Sequence, residues 1–172
     1  MQMAQLTFEA LVNAYSADLY RYAYWLCKQT ELAEDLVQET FIRAWKAIDK
    51  LENPDSAKSW LFAILRRELS RHYGKKQLEI ISLDSLLDSE LVIENDSFGQ
   101  VEYWVLQRAM KKLPEKYLEP LLLQVIAGYR CEEIAQILGL KSDAVMKRVS
   151  RARQQLRQYL VKDTNKPMRE VK

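Results

Sequence analysis

The side chains best suited to chemistry form two groups, carboxylates in the first third of the sequence and arginines near its end. In residues 30–45 an apolar stripe at helical spacing is opposed by a largely polar face that holds Glu34, Asp35, Gln38, Glu39 and Ile42. Carboxylates accept paired hydrogen bonds from arginine, so such a face suits a basic partner. Helix capping can account for acids of the first turn, but Asp35 and Glu39 lie further along the helix.

A catalytic or metal-binding pair is the other chemistry that neighbouring carboxylates can perform. A di-metal site between helices also needs histidine ligands, and His72, the only histidine of the sequence, does not lie on this segment. The simpler interpretation of His72 is a cation at a helix end. A catalytic or metal-binding carboxylate pair is therefore disfavoured, and we expect no catalytic residues, no metal ligands and no cofactor.

The second group lies in residues 131–160. Apolar residues there predict a short helix that Gly139 can end in the left-handed conformation, and Ser142 can cap a second helix. Two helices joined by a short glycine-containing turn are typical of a helix-turn-helix, which places its second helix in the major groove of DNA. A solvated basic helix in a plain bundle is the alternative. The polar side chains that point away from the apolar face of the second helix, or flank it, are Lys147, Arg148, Ser150, Arg151, Arg153, Gln154 and Arg157.

The charges of the chain fall into three blocks that its net charge of +2 conceals. Residues 1–75 are neutral, residues 76–102 carry −6 and residues 103–172 carry +8. Such a division suggests separate parts with separate partners. The basic last block favours binding to DNA over the plain bundle.

The sequence predicts an all-α fold. Its 172 residues include only 4 Gly and 4 Pro, with 48% hydrophobic residues to form a core. Apolar residues recur at helical spacing from a cap at Thr7, then from a cap at Thr30 to about Leu51, and again from about Ala57 to Tyr73. Three helices with short connections predict a compact bundle as the first domain.

The rest of the chain predicts a linker, a second helical domain and a tail. Residues 76–100 are acidic with irregularly spaced apolar residues, which indicates a loosely ordered linker; a further helix packed on the first domain is the alternative. Pro114 suits a helix start, whereas Pro120 is expected to kink or restart the next helix. The expected domains are residues 1–75, the linker 76–100, the second domain 101–161 and a disordered tail, 162–172.

Neither a membrane span nor a signal peptide is visible in the sequence. No apolar run approaches the roughly 18 residues that a membrane helix requires. Cys27 and Cys131 lie in separate apolar repeats, which is typical of buried free thiols in a reducing compartment. We therefore expect a cytoplasmic protein without membrane insertion.

Four segments, AEDLVQETFIRAW, SWLFAILRR, LPEKYLEPLLL and SRARQQLR, follow one another at characteristic spacing. Through them, residues 6–160 resemble bacterial sigma factors of the extracytoplasmic-function (ECF) group of the sigma-70 family. The resemblance implies sigma region 2 in the first domain and sigma region 4 in the helix-turn-helix, joined by a flexible acidic linker. It also implies a function, which is to bind core RNA polymerase, recognise the −35 and −10 promoter elements and assist promoter opening.

The resemblance gives the acidic helix a partner. In this family the helix binds the clamp helices of the largest subunit of core polymerase, and contacts with the beta-prime and beta subunits are implied. An anti-sigma protein that covers the polymerase-binding surfaces is a further implied partner. The residues carried over as polymerase-binding are Asp35, Gln38, Glu39, Phe41 and Trp45.

The turn ENPDS and the helix after it have a second role in the family. They capture bases flipped out of the −10 element, which requires a polar pocket and stacking surfaces. An ordinary turn followed by core aromatic residues is the simpler interpretation. The residues carried over are Asn53, Asp55, Ser56 and Lys58 for the pocket, and Trp60, Phe62 and Arg66 for the strand.

The DNA-reading helix departs from the family pattern. The usual GTVKSR or GTVRSR is DAVMKR here, so that Met146 replaces a basic residue and Asp143 replaces a glycine. The −35 preference is therefore not expected to follow that of relatives. The residues carried over as −35-binding are Ser142, Met146, Lys147, Arg148, Ser150, Arg151 and Arg153.

Two other functions fit the residues less completely. The chain could be a stand-alone helix-turn-helix regulator whose first domain senses a ligand or dimerises, or a helical adaptor without promoter recognition. The acidic linker could follow a basic channel of the polymerase or serve as a spacer. Binding to core polymerase separates the sigma factor from both alternatives.

Overall fold

The computed structural model describes residues 2–51, 53–78 and 99–164, and within them the side chains of 8–51, 53–74 and 105–161. All regular structure in these residues is helical, which confirms the all-α prediction. Two short 3-10 helices, Ile48–Lys50 and Pro54–Ser56, separate the second and third α-helices. The α-helices are α1 Gln2–Cys27, α2 Thr30–Lys46, α3 Ala57–Leu78, α4 Gly99–Lys111, α5 Glu115–Val125, α6 Cys131–Leu138 and α7 Ser142–Thr164.

The chain divides into two compact units, Met1–Leu91 and Val92–Lys172. In the first unit each of α1, α2 and α3 packs on the other two, as a three-helix bundle. Its core contains Leu19 and Tyr22 of α1 and Leu61 of α3, all 0% exposed. Burial of such large side chains is the main term that stabilises so small a bundle.

Helix ends in the first unit differ from those expected. α1 begins at Gln2, five residues before the expected cap at Thr7. No side-chain cap starts α2, whose N-cap Gln29 has extended backbone. α2 ends at Lys46, before the expected Leu51, because the amide of the next residue, Ala47, bonds to a carbonyl only three residues back and the chain tightens into a 3-10 turn.

In the second unit α4, α5 and α6 all pack on α7. Val145, Val149 and Ala152 of α7 are at most 3% exposed, so this side of the helix is the expected core face. The face loosens towards its end, where Leu156 and Leu160 are half-buried.

Of the two effects expected of Pro120, a kink or a restart of the helix, the restart does not occur. α5 runs unbroken from Glu115 to Val125, and its N-cap is Pro114, whose carbonyl accepts the amides of Tyr117 and Leu118. Pro120 is buried with its neighbours of the apolar face. Because proline has no N–H, the helix lacks one backbone hydrogen bond at this residue, but the buried ring adds apolar contact.

The helices that precede the expected linker and tail are longer than the sequence indicates. α3 continues to Leu78 and α7 to Thr164, so both helices extend past the expected boundaries at 75 and 161. The remainder of the linker, 79–98, and of the tail, 165–172, lies outside the described residues. None of the helices described is long and apolar enough to cross a membrane.

Candidate functional site

One exposed surface of the first unit runs along α2, and we call it the α2 stripe (Asp35, Gln38, Ile42 and Trp45). These residues are three or four positions apart and therefore share one side of the helix. Asp35 and Gln38 are exposed, as are Ile42 at 48% and Trp45 at 45%. The stripe thus changes from polar to apolar along the helix. Ile42 was not among the predicted site residues, although an isoleucine on the polar face was a signal for it.

Glu39 and Phe41 lie on either side of the stripe. The Glu39 side chain is 42% exposed, and its carboxylate lies 2.7 Å from Nη2 of Arg43. The Phe41 ring is half-buried and packs edge-on to Phe8 of α1, with 6.1 Å between centroids. The same Phe8 ring lies 5.0 Å from the Trp45 ring, so one residue of α1 supports both aromatic side chains.

A buried carboxylate lies behind the α2 stripe. Glu68 of α3 is 6% exposed, and its Oε1 lies 2.7 Å from Nε of Arg43 and 3.1 Å from Nη2 of Arg71. A buried charge is tolerated when such partners surround it. Arg43 therefore connects Glu39 on α2 with Glu68 on α3, an arrangement that the sequence analysis did not find. The sequence feature that could have indicated this buried carboxylate is the position of Glu68, three residues after Leu65 and within the apolar stripe of α3.

The turn before α3 uses some of its polar atoms to hold its own shape. The side-chain oxygen of Asn53 accepts the amide of Asp55 at 2.9 Å, and the Ser56 hydroxyl donates to the Asn53 carbonyl at 2.7 Å. The Asp55 carboxylate is exposed. Lys58 follows on α3, with Nζ 3.7 Å from a carboxylate oxygen of Asp18. Asn53 and Ser56 thus position the turn, while Asp55 and Lys58 present charges at its surface.

Phe62 cannot support a DNA strand, so its predicted role is wrong. It is 1% exposed, and its ring meets Tyr22 of α1 edge-on with 5.3 Å between centroids. Phe62 lies on the side of α3 that faces α1. Trp60 and Arg66, from the same prediction, are each partly exposed.

The helix-turn-helix predicted from sequence is confirmed in α6 and α7. α6 ends at Gly139, whose φ of 64° is left-handed. The amide of Leu140 donates to the Ala135 carbonyl at 2.9 Å and that of Gly139 to Gln136 at 3.4 Å. These two bonds close the helix, and the turn leads directly into α7.

The outer face of α7 is basic in its first half, where Met146 is an exposed apolar side chain. Val145 and Val149 fix the rotation of the helix because both are buried. Asp143 is exposed close to the start of the same face. Of the seven predicted contact residues, Met146, Lys147, Ser150, Arg151 and Arg153 are exposed, and Ser142 and Arg148 are partly exposed.

Two residues of α5 hold arginines of α7 in place. Nη2 of Arg153 donates to the side-chain oxygen of Gln124 at 2.7 Å. A hydrogen bond from the Arg151 side chain lowers the pKa of the Tyr117 hydroxyl, and the nearby charge of Lys116 acts in the same direction. No feature of the sequence indicated Gln124 or Tyr117. Each contact restricts the freedom of an arginine side chain of α7.

A cleft of about 540 Å³ opens where α5, α6 and α7 meet. Cys131, the first residue of α6, accepts a weak hydrogen bond from the amide nitrogen of Gln124 at 3.8 Å. Within the described ranges, no cluster of three or more His, Cys, Asp or Glu residues could hold a metal ion. The residues that line the cleft are Gln124, Cys131, Met146, Val149, Ser150, Arg153, Gln154 and Arg157.

Comparison with known proteins gives matches in both units. The family described as Sigma-70 region 2 matches residues 11–79, and the family described as Sigma-70, region 4, matches residues 103–156. The chain is 31% identical over 169 residues to the RNA polymerase sigma factor SigV of Bacillus subtilis, with 95% of this chain and 98% of SigV covered. It is 32% identical over 173 residues to the ECF RNA polymerase sigma factor SigE of Mycolicibacterium smegmatis, with 95% of this chain but only 65% of SigE covered.

A solved structure with a similar fold is that of the sigma factor RpoE from Bartonella quintana in complex with the anti-sigma factor NepR. The TM-score is 0.69 at 30% sequence identity, and the match covers 94% of this chain and 96% of the other.

Proposed function

This chain belongs to the extracytoplasmic-function sigma factors of the sigma-70 family, and on that premise we propose how its residues divide the work of a sigma factor. The first unit binds core RNA polymerase and the −10 element, and the second binds the −35 element. The observation that supports this division is that α2 exposes an acidic-to-apolar stripe in one unit, whereas α7 exposes a basic face in the other.

Core polymerase binds the α2 stripe. Asp35 and Gln38 contact arginine and other polar side chains of the polymerase clamp helices. Ile42 and Trp45, at the apolar end of the stripe, pack against apolar side chains of the polymerase. Glu39 contributes at the edge of the stripe, where Arg43 already neutralises part of its charge. Asp35 is therefore the main electrostatic anchor. Phe41 acts with Phe8 by holding the Trp45 ring in position.

The −10 element binds at the turn before α3 and along the exposed side of that helix. Asp55 and Lys58 offer the charged groups that a flipped base or its phosphate can meet, while Asn53 and Ser56 fix the turn. Trp60 and Arg66 give the opened strand a stacking surface and a cation.

The −35 element binds α7. Arg148, Arg151 and Arg153 hold phosphates, and Lys147 and Ser150 reach base edges from the first half of the helix. Ser142, at the first position of α7, presents a helix N-terminus to a phosphate.

The linker, an anti-sigma partner and the location of the protein are proposed from the same family membership. The linker starts after α3 and the second domain with α4, so that the segment between Leu78 and Gly99 connects the two units. An anti-sigma protein covers the α2 stripe, in line with the complex of the similar B. quintana protein. The chain acts in the cytoplasm, where core polymerase is, and has no catalytic activity of its own.

Run-off transcription tests this function. Core polymerase with the full chain is expected to initiate on a subset of a promoter library, and the Asp35→Lys, Glu39→Lys double variant is expected to lose most of that activity. Asp49→Lys, an exposed charge reversal outside the stripe, serves as the matched control. No initiation with the wild-type chain, or equal activity of all three proteins, would contradict the proposal and favour the stand-alone regulator.

A further inference from the structure

Met146 is an apolar side chain on a face that is otherwise polar and basic. It is 48% exposed, and the exposed side chains around it on α7 are Asp143, Lys147 and Ser150. Among the large apolar side chains exposed in the described ranges, Met146 is the one in the basic part of α7. Val161 lies on the same helix but beyond the last of its described arginines.

The position of Met146 is fixed by its neighbours. Val145 and Val149 are 0% and 3% exposed, so α7 cannot rotate to bury Met146 without exposing them. Met146 is the fifth residue of α7, in the part of a recognition helix that reaches base edges. On one side it contributes to the wall of the cleft with Val149 and Arg153.

We propose that Met146 contacts the C5-methyl group of a thymine in the −35 element. This inference rests on the proposed function of α7 as the DNA-reading helix. A methionine has no hydrogen-bond donor and cannot hold a phosphate, so its contact with DNA is apolar. In the major groove the apolar group that distinguishes one base from the others is the thymine methyl. The long, polarisable side chain can adapt to that methyl while the flanking cations hold the backbone.

Asp143, one turn before Met146, fits the same face. Its carboxylate is repelled by phosphates and by the acceptor edge of guanine, and it can accept a hydrogen bond from the amino group of cytosine. Asp143 and Met146 together therefore oppose the guanine preference that arginine or lysine gives at such positions.

Removal of a single methyl group from the DNA tests the proposal. Holoenzyme is assembled from the full chain and core polymerase, and its −35 element is selected from promoters randomised there. Each thymine of the selected element is then replaced by deoxyuridine, which keeps the base pair but lacks the methyl. At one thymine, replacement by deoxyuridine is expected to lower the affinity of the wild type about fourfold, which corresponds to the free energy of burying one methyl-sized group.

Three variants assign that effect to Met146. Met146→Leu keeps an apolar side chain and is expected to retain the methyl effect, as is the control Val161→Ala. Met146→Ala is expected to bind thymine and deoxyuridine equally at that position. Any one of three outcomes overturns the inference and leaves the proposed function standing. These are a selected element without thymine, equal affinity of the wild type for thymine and deoxyuridine at every position, and a methyl effect that survives in Met146→Ala. Failure to select any −35 sequence overturns the proposed function as well.

Discussion

Nε of Arg43 on α2 lies 2.7 Å from the buried carboxylate of Glu68 on α3. The same arginine reaches Glu39 at 2.7 Å on the surface, so a residue proposed to face polymerase is connected to the inside of the bundle. Removal of one partner of a buried pair leaves the other charge uncompensated. The pair therefore couples the stability of the first unit to the geometry of its binding face.

Glu68→Ala is expected to destabilise the first unit by about 1–3 kcal/mol. This is below the value for a fully buried pair, because the Arg43 side chain is 41% exposed and water screens it. Chemical denaturation of the full chain followed by circular dichroism measures the loss. Glu132→Ala, at an exposed glutamate of α6, is the control, and a loss no larger than in that variant would show that the buried pair contributes little.

Ile42→Ala is expected to weaken binding to core polymerase about three- to tenfold with little change in stability. The side chain is 48% exposed in the free chain, so its truncation removes contact only when the partner covers it. Affinity measured by fluorescence anisotropy, beside the melting temperature, separates the two effects. Val125→Ala, which truncates a side chain 67% exposed in the second unit, should bind as wild type. Equal affinities of the two variants would place the interface elsewhere.

Gln124 and Arg153 are expected to affect DNA binding in different ways. Arg153→Ala removes a phosphate contact and should lower the slope of log affinity against log salt by about 0.9. Gln124→Ala frees the arginine from its 2.7 Å hydrogen bond, beside the loss of the weak bond to Cys131, and removes no cation, so affinity should fall at an unchanged slope. Holoenzyme binding to promoter DNA at several salt concentrations gives both numbers. An unchanged slope in Arg153→Ala would remove that residue from the DNA interface.

Cys27 is expected to react slowly with iodoacetamide, and its rate should still be rising at about pH 10, where an ordinary thiol is almost fully ionised. Burial raises the pKa of this thiol above 9.0, and only the thiolate reacts. The folded chain holds the proton more tightly than the unfolded chain, so this residue's contribution to stability is lost as the pH rises through its raised pKa. Mass spectrometry of the labelled chain measures the rate. A rate that levels off by about pH 10, where an ordinary thiol of pKa about 8.5 is almost fully ionised, would show that the thiol is accessible and has an ordinary pKa.

Elements were predictable where a local pattern determines them. The apolar spacing of α2 and α7 and the glycine that ends α6 located the three-helix bundle and the helix-turn-helix. The ends of the helices were not predictable. The last turn of α2, for example, tightens through backbone hydrogen bonds that its side chains do not determine.

The exposure of candidate site residues was predictable where it follows from helical phase, as at Asp35 and Lys147. Phe62 was misplaced because α3 is apolar on more than one side, so sequence alone does not show which aromatic residue faces α1. The contacts Arg43–Glu68 and Arg153–Gln124 join separate helices. A sequence can mark one member of such a pair, as the position of Glu68 in the apolar stripe of α3 does, but it does not show the partner on the other helix.

The central claim is that carboxylates of the first unit bind polymerase while cations of the second bind duplex DNA. One experiment tests this claim with two variants of the full chain, Asp35→Lys and Arg151→Glu. Each variant is measured for affinity to core polymerase and, at saturating core polymerase, for affinity to promoter DNA. Asp49→Lys and Arg108→Glu are the matched controls.

Asp35→Lys is expected to lower core affinity at least about tenfold, and Arg151→Glu to leave core affinity nearly unchanged but lower promoter affinity by a similar factor. Wild-type core affinity in Asp35→Lys, or wild-type promoter affinity in Arg151→Glu, would contradict the account.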